Sequence, residues 1–374
     1  MSPKYLERVA QAFCFAAKPV RFIPFSSGHI NNTFFVDCGE GNPQYILQRI
    51  NTGIFQNPGQ LMFNIKEISL HIARKVADEG GDPSRRSRTV IATNYGGDFY
   101  VDPDGGCWRA FLEIENVVSY DFTDDPQVLY QSAAAFGRFL KQLSDYPVDA
   151  LYETIANFHD TRGRLAVLKE AVRRDKMSRA AEMQREIDFV LKRAGDLSYI
   201  TDGIADGRLL LRVTHNDAKL SNVLMDKDTG EGICVIDLDT VMPGSLLYDF
   251  GETVRFGAST AKEDAVSLDG VELSLSKYEV IVRGFMGELR DVITKEEAAS
   301  LPMGAYLMTL ETGIRFLTDY LVGDAYYQTR YPAHNRDRAR NQLKLAADME
   351  QKLEQMRQIA VSVYFHKKGA GPLA

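Results

Sequence analysis

Residues 215–222 hold four side chains whose types and spacing suit one kind of chemistry. Asp217 offers a carboxylate that could orient an acceptor hydroxyl and take its proton. Lys219 offers an ammonium that could balance the charge on the oxygens of a transferring phosphoryl group. Asn222 offers an amide oxygen, which is a ligand that Mg²⁺ accepts. The segment, here called the catalytic loop, therefore predicts Mg²⁺-dependent phosphoryl transfer, with His215 as a scaffold for the loop backbone.

Two further carboxylates, Asp237 and Asp239, follow the apolar run CVI. A carboxylate at the end of a buried strand is costly unless it is paired or binds a metal, so we expect Asp237 to be the second Mg²⁺ ligand. Asp239 is either another metal contact or a structural cap. Asp249 is interpreted as lying in a turn before a helix, where an Asp is most often an N-cap. In this setting we expect it to brace the catalytic loop.

The phosphate-binding end gives a weaker pattern. Residues 26–32 join two predicted strands and could place backbone N–H groups over phosphates, but the segment matches neither Walker A nor GxGxxG. The third predicted strand carries no lysine, so Gln48, Arg49 or another group must take the phosphate-contacting role. Strand alternation lets only one of Gln48 and Arg49 face the cleft. Glu67 is the expected helical partner. The residues expected to contact ATP are Ser27, Gly28, Asn32, Gln48, Arg49, Glu113 and Glu115.

The elements that must position these residues divide the chain into two regions. Residues 1–114 predict a β-rich lobe of about five antiparallel strands and one main helix at 61–79. Residues 115–374 predict a mainly helical lobe, interrupted by a small β-island that carries the catalytic loop. Residues 111–118 would form the hinge, and the backbone of 113–116 would hold the adenine. The predicted fold class is therefore α+β, with two lobes and a nucleotide cleft between them.

Long helical patterns dominate the second region. The predicted helices are 125–145, 162–194, 274–290, 295–323 and 335–365. The predicted strands of the β-island are 209–217, 222–226 and 234–239. None of the remaining histidines shows a metal-binding spacing, and His159 is interpreted as an ordinary loop residue.

Composition limits the partners of this chain. Its 374 residues carry a formal net charge of −7. An acidic chain has no general attraction for nucleic acid or anionic lipid, so the expected partners are ATP and a small-molecule substrate, with no nucleic acid and no membrane. The four cysteines are scattered, as is typical of free thiols in a reducing compartment. No signal-peptide pattern and no apolar run of about 18 residues is present, so we expect a cytoplasmic protein.

With these residues in view, the chain resembles the aminoglycoside phosphotransferase and choline kinase superfamily, and most closely the bacterial N-acetylhexosamine 1-kinases. The order His, Asp, Lys, Asn is that of a kinase catalytic loop. The more specific segments are DTVMPGSLLYDFG, RFGAST and RFLTDYL. The resemblance implies a protein-kinase-like two-lobed fold that uses ATP and Mg²⁺. It also implies phosphorylation of the anomeric hydroxyl of N-acetylglucosamine (GlcNAc) or N-acetylgalactosamine (GalNAc).

The resemblance further implies a sugar pocket. Its residues would be His29, Asp217, Phe256, Arg315 and Tyr326. Plainer interpretations exist: His29 as a loop residue, Phe256 as core, Tyr326 as a surface aromatic, and Arg315 as an ion-pair partner of Asp319.

The alternative function is a kinase of the same fold that acts on choline, homoserine or an aminoglycoside. Cationic acceptors require carboxylate-lined pockets, whereas Arg315 favours a neutral sugar. A nucleotide-binding regulator without catalysis is disfavoured, because the base and both metal ligands are present.

Overall fold

The computed structural model describes residues 1–25 and 30–366. Its first region is a short helix followed by an antiparallel sheet. The elements are α1 (Pro3–Ala10), β1 (Arg21–Pro24), β2 (Asn32–Asp37), β3 (Tyr45–Arg49), α2 (Pro58–Asp78), α3 (Pro83–Arg86), β4 (Val90–Ile91), β5 (Tyr100–Val101) and β6 (Cys107–Leu112). The strand order is β1-β2-β3-β6-β4, and β5 also pairs with β6. The predicted β-rich region is confirmed, with one strand more than expected.

The sheet has two different faces, because side chains alternate along each strand. Leu47 and Ala110 pack on the face that carries α1. Ile46 and Phe111 pack on the opposite face, in the core that contains α2. Gln48, two residues after Ile46, therefore shares the α2 face.

The second region is mainly helical. Its elements are β7 (Val117–Val118), α4 (Pro126–Gln142), α5 (Thr161–Arg174), α6 (Gln184–Lys192), α7 (Tyr199–Ala205), β8 (Arg212–Thr214), β9 (Val223–Asp226), β10 (Gly232–Val235), β11 (Met242–Gly244), α8 (Leu246–Gly257), α9 (Leu275–Leu289), α10 (Lys295–Val322) and α11 (His334–His366). The β-island consists of two small antiparallel sheets, β10-β9-β7 and β11-β8. Helix α10 packs against α11, α8 and α5. The predicted α+β class is confirmed.

Side-chain caps mark the helices that the sequence predicted best. Asn57 accepts the backbone N–H of Gln60 at the start of α2. Thr294 and Glu297 form a capping box at the start of α10, and Gly323 ends that helix with a φ of 106°. Each device satisfies backbone groups that a helix end leaves without partners.

The single helix predicted for 162–194 is wrong, because the chain forms α5 and α6 there instead. Asp175 ends α5 in the left-handed region, with a φ of 36°. Its carboxylate accepts the backbone N–H groups of Arg179 and Ala180. Such local side-chain bonds offer the backbone an alternative to the helix.

Residues 113–116 carry the chain from the first region to the second. Strand β6 ends just before them, and β7, just after them, pairs with β9 of the second region. The expected hinge at 111–118 and the division into 1–114 and 115–374 stay predictions. Within the described ranges, no helix has both the length and the apolar character that crossing a membrane requires.

Candidate active site

The catalytic loop follows β8 and is held by α8. The Asp249 carboxylate accepts the backbone N–H groups of His215 at 2.9 Å and Asn216 at 2.6 Å. The His215 ring donates from Nε2 to the Ile236 carbonyl at 2.9 Å and accepts the N–H of Asp217 at Nδ1. Asn216 has a φ of 64°, a left-handed conformation that surrounding contacts must maintain. The protein itself therefore fixes the loop backbone.

Asp249 lies in the first turn of α8, so its interpretation as an N-cap in a turn before a helix is wrong. The N-cap is Ser245, whose hydroxyl accepts the N–H of Leu247 at 3.3 Å. Burial raises the pKa of Asp249, while the His215 ring and the two loop N–H groups oppose that rise. The expectation that Asp249 braces the loop agrees with its two hydrogen bonds.

Asp217, Lys219 and Asn222 meet at the open side of the loop. The Lys219 Nζ donates to Asp217 Oδ2 at 2.8 Å, and the Asn222 Nδ2 donates to the Asp217 carbonyl at 2.9 Å. Burial raises the pKa of Asp217, but the charge and hydrogen bond of Lys219 outweigh burial and hold it at about 2. The carboxylate is thus ionised at neutral pH. It suits the orientation of an acceptor hydroxyl better than it suits strong base chemistry.

Asp237 approaches the same site from a left-handed backbone, with φ 62° and ψ 53°. The preceding residue, Ile236, donates its N–H to the Asn222 carbonyl at 2.9 Å, which brings residues 222 and 237 together. The Asp237 carboxylate opens to solvent, yet the protein around it limits its hydration. Desolvation and the neighbouring Asp239 therefore raise its pKa to about 6, against the opposing charge of Lys219.

Asn222 and Asp237 fit a Mg²⁺ site through their oxygens. Among the described residues, neither Asn222 Oδ1 nor the Asp237 carboxylate accepts a side-chain hydrogen bond or ion pair. A carboxylate that protein surroundings and a second acid push toward protonation gains most from a nearby cation. This pair offers two hard oxygen ligands, which is the donor type that Mg²⁺ prefers.

Gln48 turns toward the second region, whereas Arg49 does not. Gln48 Oε1 accepts the Nε–H of Arg109 at 2.9 Å, and its Nε2 donates to Thr33 Oγ1 at 3.0 Å. Arg49 and Asn32 are cross-strand partners on the α1 face. The structure therefore does not bring Arg49 or Asn32 to the catalytic loop.

Of the other residues expected at the phosphate-binding end, Ser27 and Gly28 lie outside the described residues, as does His29 of the expected sugar pocket. Burial and then the charge of Glu67 raise the pKa of Tyr146, which places Glu67 close to that ring. Across the described ranges, no ion pair joins Glu67 to β3.

The connection between the regions leaves one acceptor and one donor open. The Glu113 N–H donates to the Gln44 carbonyl, and the Glu115 carbonyl accepts from Arg85, each at 2.9 Å. Within the part of the chain that the structure describes, the Glu113 carbonyl and the Glu115 N–H have no hydrogen-bond partner. A purine edge offers a matching donor and acceptor, so this pair suits the predicted adenine contact.

A guanidinium surrounded by aromatic rings lies at the end of α10. The Arg315 Cζ is 5.5 Å from the ring centre of Phe158, 5.8 Å from Tyr326 and 5.6 Å from Tyr327. These four residues are called the aromatic pocket below. No hydrogen bond among the described residues involves the Arg315 guanidinium. Its planar donors are therefore open to a ligand.

Asp319 positions the tyrosines of the aromatic pocket. Its carboxylate accepts the backbone N–H groups of Ala325 at 3.0 Å, Tyr326 at 2.8 Å and Tyr327 at 2.9 Å. The plainer interpretation, in which Arg315 and Asp319 simply pair, is therefore wrong.

Helix α8 lies between the aromatic pocket and the catalytic loop. Burial and nearer partners set most of the pKa shifts of Lys219 and Arg315, but the charge of Glu252 raises both. Directly, the Thr253 hydroxyl of α8 donates to the Ala218 carbonyl of the catalytic loop at 3.0 Å, and α8 packs against α10, which carries Arg315. Arg255, on the same helix, stacks over the ring of Phe256 at 3.9 Å. Helix α8 thus connects the catalytic loop with the helix that carries Arg315, while Phe256 contacts Arg255 on its own helix.

The carboxylates of this area already have partners. Glu252 and Glu263 both bind Arg255. Glu311 binds the Nδ1 of His159 at 3.0 Å. Among the described residues of this area, the Arg315 guanidinium is a cation without an ion pair, and the Asp237 carboxylate is the unpaired anion of the Mg²⁺ site.

His159 is a site residue that the sequence interpretation missed. Its Nε2 lies 2.9 Å from the Asn216 carbonyl, so it ties the catalytic loop to Glu311 on α10. Its partners are far away in the chain, and no local spacing could reveal them. Arg109 and Asn31 were missed for the same reason.

A separate cavity of about 470 Å³ lies behind this site, between α2, α4 and β10. Its lining includes Arg88, Arg138 and Cys234, and no residue of the catalytic loop. None of the residues predicted to bind ATP or the acceptor lines this cavity either.

Known proteins match this chain in sequence and in fold. A family model described as the phosphotransferase enzyme family matches residues 21–275. A microcompartment-associated aminopropanol kinase is 16% identical with a TM-score of 0.55, over 95% of this chain and 98% of that one. An aminoglycoside phosphotransferase from Alicyclobacillus acidocaldarius is 12% identical with a TM-score of 0.56, over 96% of each chain. A spectinomycin phosphotransferase, solved with ADP and spectinomycin, is 12% identical with a TM-score of 0.55, over 95% and 99%. At identities this low, the structural matches show a shared fold. That fold confirms the predicted kinase-like architecture.

Proposed function

Because the chain belongs to the phosphotransferase enzyme family, we propose that it is a kinase that uses ATP and Mg²⁺ to phosphorylate an N-acetylhexosamine at its anomeric hydroxyl. The product would be the 1-phosphate of GlcNAc or GalNAc. The family match supports phosphoryl transfer, and the sugar is the finer part of the proposal. We place the enzyme in the cytoplasm, where ATP is available and where its four free cysteines are stable.

The chain's own residues divide the work of transfer. Asn222 and Asp237 would hold Mg²⁺, which supplies positive charge to the phosphate oxygens. Asp217 would orient the anomeric hydroxyl and receive its proton, and Lys219 would leave Asp217 to contact the transferring phosphoryl group. The open backbone groups of Glu113 and Glu115 would bind the adenine. Most of the rate enhancement would come from positioning and electrostatics.

The observation that carries the sugar proposal is the open guanidinium of the aromatic pocket. Arg315 has planar donors that could fork onto a sugar hydroxyl and the acetamido oxygen. Tyr326 and Tyr327 offer rings that could pack on the apolar face of a sugar. Phe256 and Asp217 would complete the contacts, as would His29 if its segment reaches the sugar.

The same observation argues against two of the alternative acceptors. Choline and aminoglycosides carry a net positive charge and need unpaired carboxylates. Homoserine is a zwitterion whose own carboxylate could bind a guanidinium, so the acceptor screen below decides on it. The nearest carboxylates, Glu252, Glu263 and Glu311, are already paired with cations. A cationic acceptor would lie beside the open Arg315 guanidinium, and repulsion between the two like charges costs binding energy.

An ATP-consumption screen tests this proposal. The acceptors are GlcNAc, GalNAc, glucose, galactose, choline and homoserine, each assayed with and without Mg²⁺. We expect turnover with one or both N-acetylhexosamines and loss of the reducing end in the product. The Asp217→Asn variant, prepared identically, controls for contaminating kinases. Turnover of choline or homoserine without turnover of any sugar would reject the sugar proposal and support the alternative.

A further inference from the structure

Asp239 joins the two regions of the molecule through a buried ion pair. Its Oδ1 lies 2.5 Å from Arg109 Nη1, and its Oδ2 accepts from Arg109 Nη2 at 2.9 Å. The same Oδ2 accepts from Asn31 Nδ2 at 2.7 Å. Arg109 belongs to β6 and Asn31 precedes β2, whereas Asp239 belongs to the second region. The side chains of Arg109 and Asp239 are 1% and 5% exposed, so water does not share this contact.

Most donor groups of this cluster have a hydrogen-bond acceptor, and Arg109 Nη1 meets Asp239 Oδ1 as an ion pair without hydrogen-bond alignment. Arg109 Nε donates to Gln48 Oε1, and the Gln48 amide continues to Thr33 on β2. Asn31 Oδ1 accepts the backbone N–H of Asn51 at 2.9 Å. Buried charges are tolerated only with this degree of pairing. Asp239 therefore holds three places on the sheet: the start of β2, the end of β3 and the middle of β6.

The backbone of Asp239 is anchored as firmly as its side chain. Its carbonyl accepts the Thr154 hydroxyl at 2.7 Å. Nearby, the Asn64 amide of α2 donates to the Val241 carbonyl at 3.0 Å. The position of Asp239 is thus set by Thr154 of the second region together with α2, and the sheet is held against it.

Asp237 and Asp239 are two residues apart and have opposite surroundings. Asp237 accepts no hydrogen bond among the described residues, whereas each oxygen of Asp239 already faces Arg109 and one also binds Asn31. A metal ion at Asp239 would have to displace Arg109 and leave that guanidinium buried without a partner, which is strongly unfavourable. The two carboxylates therefore have separate tasks.

We propose that Asp239 is a positioning residue that sets the distance between the sheet of the first region and the Mg²⁺ site. It is not itself a Mg²⁺ ligand. Its pair with Arg109 would fulfil the structural task of the strand-lysine and helix-glutamate pair of protein kinases. The missing lysine of β3 is explained, because Gln48 at that strand orients Arg109 instead. This inference rests on the nucleotide and Mg²⁺ binding of the proposed function, and not on the identity of the sugar.

The test measures binding of a non-hydrolysable ATP analogue by calorimetry, with and without Mg²⁺ and without any acceptor. Four variants are compared with the unmodified protein: Asp237→Asn, Asp239→Asn, Asn31→Ala and Asn42→Ala. Asn42→Ala is the matched control, because its amide binds Cys38 at the far end of the β2–β3 hairpin. Thermal unfolding of each variant reports whether it is folded.

We expect Asp237→Asn to lose the gain in affinity that Mg²⁺ gives. Asn31→Ala should keep that gain but bind the Mg²⁺-analogue complex roughly 10-fold more weakly, as the loss of a hydrogen bond to a charged group predicts. Asp239→Asn should also keep the Mg²⁺ gain, with a larger loss of affinity and a lower melting temperature. If Asp239→Asn does not fold, Asn31→Ala still decides, because it leaves the ion pair intact.

Two results would overturn the inference. One is an Asn31→Ala protein that binds the Mg²⁺-analogue complex as tightly as the unmodified protein and Asn42→Ala. The other is an Asp239→Asn protein that folds and loses the Mg²⁺ gain as Asp237→Asn does. A failure of the unmodified protein to bind the Mg²⁺-analogue complex would instead reject the proposed function itself.

Discussion

The catalytic loop and the aromatic pocket lie on either side of α8 and are built in opposite ways. In the loop, the protein supplies partners for the backbone: Asp249 binds two N–H groups, and His159 binds the Asn216 carbonyl. In the pocket, Arg315 contacts rings only, and no described residue accepts from its guanidinium.

This difference indicates that the catalytic loop is built for the reaction and the aromatic pocket for recognition of the acceptor. Groups that must hold a reacting geometry work best when the protein has already fixed them. A group that must recognise a ligand is most useful when its hydrogen bonds are still open, because a buried donor without a partner disfavours ligands that cannot accept from it. The comparison predicts that loop variants lower kcat, whereas pocket variants raise the KM of the acceptor.

The largest expected effect is that of Asp217→Asn. An amide cannot receive the proton of the acceptor hydroxyl, so we expect kcat to fall by roughly 10²- to 10⁴-fold, the usual contribution of a positioned base. Binding of nucleotide and the melting temperature should change little, because the loop backbone is held by Asp249. Steady-state kinetics with the best acceptor of the screen measures this.

The exposed Asp202, on α7, gives a matched control for that experiment, since Asp202→Asn removes the same charge away from the site. Turnover of Asp217→Asn at the rate of the unmodified protein would remove Asp217 from its proposed role.

A smaller effect is expected from Arg315→Ala. Loss of charged hydrogen bonds to the acceptor should raise its KM by roughly 10- to 100-fold and leave the KM of ATP unchanged. Arg315→Lys should lie between the two, because lysine keeps the charge but not the planar fork. Arg357→Ala, at an exposed pair on α11, serves as control. An equal fall in kcat with no change in KM would contradict the assignment of recognition to the aromatic pocket.

Local patterns and long-range contacts differ in how far the sequence predicts them. The catalytic loop is a local pattern, so its residues could be assigned from spacing alone. The caps of α2 and α10 are local as well, and those helices follow the prediction. Arg109 and Asp239 are 130 positions apart, and His159 and Glu311 are 152 apart, so only the fold brings them together.

The break at Asp175 depends on a carboxylate that accepts N–H groups of the backbone just after it. The apolar periodicity of 162–194 does not reveal this bond.

The smallest effect concerns the buried pair of His159 and Glu311, which ties the catalytic loop to α10. Both ring nitrogens face acceptors, the Glu311 carboxylate and the Asn216 carbonyl, so the imidazole must carry two protons to satisfy both. Burial alone lowers the pKa of His159, but Glu311 outweighs burial and the net pKa is raised. Burial likewise raises the pKa of Glu311, and His159 reverses this to a lowered pKa.

The sign of the pH dependence follows from these two shifts. The contribution of His159 to the free energy of unfolding is complete below its unfolded pKa, near 6.5, and is lost as pH rises through its raised folded pKa. The contribution of Glu311 is complete above its unfolded pKa, near 4.5, and is lost as pH falls through its lowered folded pKa. We therefore expect urea unfolding to show a loss of stability above pH 6.5 that the His159→Gln variant lacks. Glutamine keeps an N–H for one acceptor but cannot titrate. Parallel pH profiles for the two proteins would show that folding does not shift the pKa of His159, which would contradict a charged pair with Glu311 as the tie between loop and α10.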